Sequence, residues 1–375
     1  MALGFGSVPD EQKIINGEVK RIPHRWRSTI DREVARRVWY CLLELDWLFS
    51  MEYGFVYLIS PEIHQTTEPA NINDVDIKPD EPVVSLPPDQ YTDMSYFLQR
   101  LKLFYPFQGV VLKARKAGRM RYAFVQEANA ELQRAVDNMP AFYRDTDGAE
   151  AASDAVHLYR IKRESIALSE GADLRLMRLH RYYFSEACQN PRYLLSKQTC
   201  LSCARRLLES KARHGNLYSN TNYWAHTYCI FASSVVCIIY LHYALPQEVD
   251  DYKRLVESGV EQLKSLTRRR ASELGEAGET LLSLMNVQLS RRDDPTQPEN
   301  LKRGLNELET EAWEGFLPPD LLARLNGGVF STGVGDQTDT FSGQTGDVGG
   351  NTDLGFSFDN LLDDLQFNEG NFMVL

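Results

Sequence analysis

Between Arg213 and Glu248 the chain carries no Lys, Arg, Asp or Glu, and residues 228–241 are almost wholly apolar. A stretch of this kind has two uses. It crosses a bilayer, which takes about 20 predominantly apolar residues, or it stands at the centre of a helical domain, apolar on every side. His226, Ser233, Ser234 and His242 interrupt the run, and no Lys/Arg cluster flanks either end to orient an insertion. Residues 222–244 are therefore read as a buried central helix, with a membrane anchor as the competing expectation.

A central helix needs others around it, and the spacing supplies them. Val34, Val38, Cys41, Leu42, Leu45, Leu48 and Phe49 recur at intervals of three and four behind Asp31, a plausible N-cap, which predicts an amphipathic helix to about residue 53. Residues 54–90 hold Gly54, Pro61, Pro69, Pro79, Pro82, Pro87 and Pro88, the composition of a long connecting loop. Helical spacing returns over 91–116 and 119–138, and a polar stretch, 145–154, breaks it. Leu176, Leu179, Tyr183 and Ala187 form one further stripe, and Leu194, Leu201, Ala204 and Leu208 the next. A last helical block covers 249–289, interrupted near Gly275 and Gly278, while residues 1–30 look irregular. Nothing alternates with period two for long enough to make a sheet. The expected fold class is all-α: a large multi-helix domain with a disordered acidic C-terminal tail.

Charge is unevenly placed along the 375 residues, whose net charge is −11. From Gly327 onward there are eight acids and no Lys or Arg, which leaves 41 basic against 44 acidic residues, a balance of −3, on 1–326. A nearly neutral body is a poor match for bare DNA. Three regions follow. Residues 1–325 are the helical body, and 326–350, rich in Gly, Ser, Thr, Asp and Gln, are a linker too polar to bury a core. In 351–375, Phe356, Phe358, Leu361, Leu362, Leu365 and Phe367 alternate with acids, the composition of a disordered activation segment. The six cysteines sit mostly in apolar runs and read as reduced intracellular thiols. The first residues lack the basic and apolar regions of a signal peptide.

No motif for phosphate-loop, nucleophile-elbow, zinc-protease or dinucleotide chemistry occurs. Cys200-x-x-Cys203 falls within a helical stripe, where two thiols merely share a face. Asp74, Asp76 and Asp80 lack the Gly and closing Glu of a calcium loop. Asp250-Asp251 and Asp293-Asp294 are only pairs, short of the Asp-rich magnesium motif that helical prenyl chemistry wants. Two basic clusters, 113–121 and Arg268-Arg269-Arg270, suit solvated helix faces or, less often, nuclear import signals. Arg269-Arg270-Ala271-Ser272 fits a basophilic kinase weakly. No enzyme is expected; the competing reading is an all-α enzyme or small-molecule binder with a site assembled from distant residues.

The ordered series of motifs points further. Glu33, Arg36, Arg37 and Trp39, then Asp46, then Pro69, Asn71 and Asp74 resemble the signature of the regulatory (middle homology) domain of fungal zinc-cluster transcription factors. Residues 176–184 are similar to that family's "LxxHxxY" helix and 200–208 to its "AAxxL" helix, so the resemblance covers about residues 1–290. Gly54-Phe55-Val56 departs from the family's Gly-Arg-Pro turn. The larger departure concerns zinc: Cys41 stands far from Cys188, and the six cysteines cannot form the family's two-zinc cage. The resemblance implies a transcription regulator in the nucleus, and also in the cytoplasm. Its helical body gates the tail; the tail contacts coactivators. A homodimer and a small-molecule effector fit as further partners. No cofactor is expected in this chain, since zinc would belong to an N-terminal cluster missing from it. DNA is then reached through that module or a partner, and no membrane is involved.

Overall fold

The computed structural model describes residues 4–50, 57–60, 65–144, 155–214 and 224–267, with Leu282, Met285 and Asn286. All of them lie in a unit spanning Met1–Glu309. The linker and the 351–375 segment, with Phe356, Phe358, Leu361, Leu362, Leu365 and Phe367, lie outside the described residues, as do Arg268-Arg269-Arg270 and Ser272.

Among the described residues every regular element is helical, and the fold is all-α. A short α1 (Glu11–Ile15) precedes α2 (Thr29–Ser50), α3 (Ser95–Ala117), α4 (Tyr122–Asp137) and the single turn α5 (Ala141–Arg144). Then come α6 (Ala155–Arg181), the single turn α7 (Phe184–Ala187), α8 (Leu194–His214), α9 (Trp224–Leu241) and α10 (Pro246–Thr267). Helix α6 packs against α3, α4, α5 and α8; α8 packs against α9 and α10, which also pack on each other; α2 packs on α3. Helices α6 and α8 thus join an N-terminal set to a C-terminal one.

Every residue of α9 from 229 to 241 is buried, with Ile230, Ala232, Cys237 and Leu241 fully enclosed. An all-round apolar helix between α8 and α10 is what the uncharged stretch predicts, and no helix among the described residues is long and apolar enough to cross a membrane. After α9 the chain turns tightly, with the Tyr243 and Ala244 N–H groups donating to the Tyr240 carbonyl. The Leu245 N–H donates to Glu248 Oε2 at 2.8 Å, and Pro246 opens α10 at the position where a missing N–H costs nothing. Gly259 of α10 lets three helices close up: a Cβ there would run into Ser234 Oγ of α9 and lie 3.2 Å from Leu208 of α8.

Four boundaries differ from the sequence reading. Helix α2 starts two residues before Asp31. Ser28 is its cap, since the Ser28 carbonyl accepts from the Arg32 N–H at 3.2 Å and its hydroxyl from the Asp31 N–H at 3.5 Å. Asp31 instead places its charge in the first turn, beside the positive end of the helix dipole. Helix α3 begins at Ser95, because residues 91–94 remain part of the loop that Asn71 and Asp93 organise. The stripe of Leu176, Leu179, Tyr183 and Ala187 is not one helix: α6 ends at Arg181, and the Tyr183 N–H closes a tight turn on the His180 carbonyl before α7. The N-terminal segment is not wholly irregular, since Asp10 caps α1 by accepting from the Lys13 N–H at 3.0 Å.

Candidate functional site

The motif residues that carry the resemblance converge on one place, the buried face of α2 and the proline-rich loop laid over it. Spaced at three and four, Arg32, Glu33, Arg36 and Arg37 share a helix face. Arg32 donates to both carboxylate oxygens of Glu11 (2.5 and 3.0 Å), to the Trp26 and Arg27 carbonyls (2.8 Å each) and to Thr29 Oγ1 (2.9 Å). Arg36 reaches Glu11 at 3.1 Å, Glu33 at 3.5 Å and the Pro9 carbonyl. Glu33 is 1% exposed and receives Arg37 (3.3 Å), Arg36 and the Ala70 N–H (3.0 Å). A charge at this depth survives only when surrounded by donors. Burial pushes the Glu33 carboxyl up, and Arg37, Arg36 and the Ala70 amide partly offset that. For Glu11 burial also acts upward, but Arg32 and Arg36 outweigh it and hold the carboxyl below its ordinary value.

From Arg37 the network crosses to the loop and on to α6. Arg37 donates to Asp74 Oδ1 at 2.6 Å, the Asp74 N–H donates to Asp93 Oδ2 at 3.1 Å, and Arg160 of α6 donates to Asp93 Oδ1 at 2.9 Å. Arg160 continues to Glu164 (2.9 Å), whose second oxygen accepts the hydroxyls of Tyr91 (3.0 Å) and Tyr143 (2.7 Å). Burial acts to raise the Asp93 carboxyl; Arg160 and the Asp74 N–H overcome it, so the carboxyl lies below its ordinary value. Both tyrosines are pushed well up, by burial first and then by the Glu164 charge.

The remaining motif residues fix the loop. Asn71 is a clamp: its side-chain amide donates to the Pro87 (2.8 Å), Gln90 (3.0 Å) and Leu86 (3.4 Å) carbonyls and accepts from Thr92 Oγ1 (2.7 Å). Asp46 accepts the Leu58 and Ile59 N–H groups at 2.8 Å each, and Trp39 and Pro69 are buried in the same region. Glu33, Arg36, Arg37, Asn71 and Asp74 are thus brought together, while Asp46 acts at a separate point of the loop. Their chemistry is cohesion: the anions are matched to guanidiniums and amides, with Glu33 buried and Asp74 paired at the exposed rim of the loop.

Two further constellations were not legible in the sequence, because their members lie on different helices. Glu44 of α2 binds Arg100 of α3 (2.8 Å) and Arg175 of α6 (3.1 Å). His180 of α6 lies between Ser196 Oγ of α8 (2.8 Å from Nδ1) and Asn129 Oδ1 of α4 (3.0 Å from Nε2). The second has the spacing of a nucleophile, a base and an orienting group. Ser196 and His180 are each 0% exposed, however, and burial pulls the imidazole down to about 4, so the trio works as a neutral cross-link between three helices. Cys200 and Cys203 are buried on α8 as the helical spacing implies. Burial pushes the Cys188 and Cys237 thiols up to about 12, away from reactive thiolate. Among the described residues no group of three or more His, Cys, Asp or Glu could hold a metal ion.

Comparison with known proteins returns the same segment. Residues 7–113 match the family described as "Fungal specific transcription factor domain". The chain is similar to the probable transcription factor lepB of Aspergillus flavus, 27% identical over 194 residues, 49% of this chain and 34% of that protein. It is also similar to the agnestins biosynthesis cluster transcription factor AgnL11 of Paecilomyces divaricatus, 28% identical over 241 residues, 58% of this chain and 32% of that protein. The Zn(2)-C6 fungal-type transcription factor mpsB of Macrophomina phaseolina is 25% identical over 246 residues, 61% of this chain and 32% of that protein. No solved structure matches. The chain therefore spans about a third of the length of these curated relatives. Residues 7–113 thus match a fungal specific transcription factor domain, and the curated proteins that the chain resembles across and beyond that segment are transcription factors.

Proposed function

We propose that the chain regulates DNA-templated transcription in the nucleus, its helical body acting as a regulatory platform and residues 351–375 as an activation segment. The observation that carries this reading is the joint one at α2. The matched family segment and the ordered motif residues coincide, and there they build a charge-matched scaffold rather than a reactive site. The tail's role rests on composition: Phe and Leu side chains dock in a coactivator groove while neighbouring acids keep them solvated when free. Coactivators are the proposed partners, with a second copy of the chain and a small-molecule effector as further ones. DNA is contacted through a zinc-cluster module carried elsewhere, where the zinc would reside. The full chain fused to a heterologous DNA-binding module should activate a reporter. Replacing Phe356, Phe358, Leu361 and Leu365 together by Ala should abolish that activity at unchanged protein level. Equal activity from the two fusions would end the docking reading.

A further inference from the structure

One corner of the body combines aromatic side chains with arginines that make no ion pair among the described residues. It forms where the end of α3, the start of α4, the α6–α7 turn and the 3₁₀ turn Pro191–Tyr193 before α8 come together. Tyr122, Tyr183 and Tyr193 build its floor: Tyr183 stacks on Tyr193 with centroids 5.0 Å apart, and Tyr122 meets them edge-on at 4.9 and 4.7 Å. The Tyr183 hydroxyl donates to the Met120 carbonyl at 3.3 Å, which ties the floor to the α3–α4 turn. Around it Arg119, Arg121 and Arg192 are exposed. Arg192 lies over the Tyr193 ring at 5.7 Å, Arg121 over Phe124 at 5.8 Å, and Arg119 and Arg192 both act electrostatically on Tyr183. None of the three makes an ion pair among the described residues, and the Glu186 carboxylate also acts on Tyr183 beside them. Beside them Tyr182, Leu194 and Leu195 are 43%, 47% and 39% exposed.

We propose that this corner docks an acidic segment carrying phenylalanine and leucine side chains, presented by a partner protein. Charge selects the occupant. Arg119 and Arg192 both act on Tyr183 and make no ion pair among the described residues, and Arg121 precedes Tyr122 in the chain, so the corner offers guanidiniums to an acidic partner. The planar fork of a guanidinium suits a carboxylate with two parallel hydrogen bonds. The exposed leucines and Tyr182 supply the apolar contact that a purely charged partner would leave unused. A single-stranded nucleic acid fits less well, because the tyrosine faces are spent on one another and leave no open platform for a base.

The test uses the full chain and a labelled synthetic peptide that alternates Asp with Phe and Leu, read by fluorescence anisotropy at about 50 mM salt, where exposed charges act over long range. Arg119→Gln with Arg192→Gln should weaken binding about tenfold, as loss of two rim charges does. Leu194→Ser with Leu195→Ser should weaken it several-fold, with unchanged circular dichroism because all four side chains are exposed. An Asp/Ser peptide of equal charge should bind distinctly more weakly. The proposal is overturned if that control binds equally well, if oligothymidylate competes more strongly than the peptide, or if the arginine variant binds like the parent.

Discussion

Helix α9 is buried on every side from 229 to 241 with mostly methyl, sulfur and ring groups, whereas α6, only partly buried, turns Glu164, Glu170, Asp173, Arg175, Arg178 and His180 inward alongside Ile161, Leu168, Met177 and Leu179. The two helices are therefore held by different forces. Around α9 the gain is the non-directional removal of apolar surface from water, about 25 cal/mol for each Å². Around α6 the gain is geometric: Glu44–Arg175, Asp93–Arg160, Glu170–Lys211 and Asp173–Arg206 each fix one rotation of the helix against a named neighbour. The buried pairs among them, Glu44–Arg175 and Glu170–Lys211, add little net stability, because desolvation offsets the attraction, but breaking one is costly. Cohesion comes from the apolar half, and register from the charged half.

The largest effect should come from stranding charge at α6. Glu44→Ala leaves Arg100 and Arg175 buried without their shared carboxylate and should cost about 3–5 kcal/mol in chemical denaturation. A loss below about 1 kcal/mol would mean that the guanidiniums find water, and the contrast with α9 would shrink.

Next comes acid sensitivity through His180. Its pKa lies at about 4 in the folded protein, below the ordinary value of 6.5. Between those two values the unfolded chain takes up a proton that the folded chain refuses, so stability falls as pH drops from 6.5 toward 4. The ceiling is about 3 kcal/mol. His180→Gln should flatten the pH dependence over that window, and an unchanged slope would assign the sensitivity to the carboxylates instead.

The smallest effect tests the apolar half. Gly259→Ala should lower stability by about 1–3 kcal/mol through crowding against Ser234 and Leu208, despite alanine's better helix propensity. Adding Ser234→Ala should recover most of that loss. If the double variant is no better than the single one, the tight contact lies with Leu208.

The same contrast explains what could be read without coordinates. Helix α9 announced itself, since nothing but a central helix or a membrane span has its composition, and α2, α3, α4, α8 and α10 followed from spacing of three and four. The first half of α6, residues 155–175, escaped notice because its buried apolar positions, Ile161, Leu168 and Ala172, are sparse and alternate with buried Glu164, Glu170, Asp173 and Arg175. Within the site, Glu33, Arg36, Arg37, Asn71 and Asp74 were legible as an ordered motif, but their purpose was not. That Asn71 gathers three carbonyls, or that Arg37 is joined through Asp74 and Asp93 to Arg160, depends on contacts between distant stretches of chain. The Ser196–His180–Asn129 trio and the Glu44 pair have no local signal at all.

Asp93, Glu44 and Tyr91 lie inside the matched segment 7–113, yet Arg160, Arg175 and Glu164, which complete their bonding, lie beyond it. A boundary drawn by sequence similarity thus cuts through α3 and severs the cross-ties that align the first helices with the sixth. The homologous stretch is a unit of inheritance, while the unit that folds must extend at least through α6.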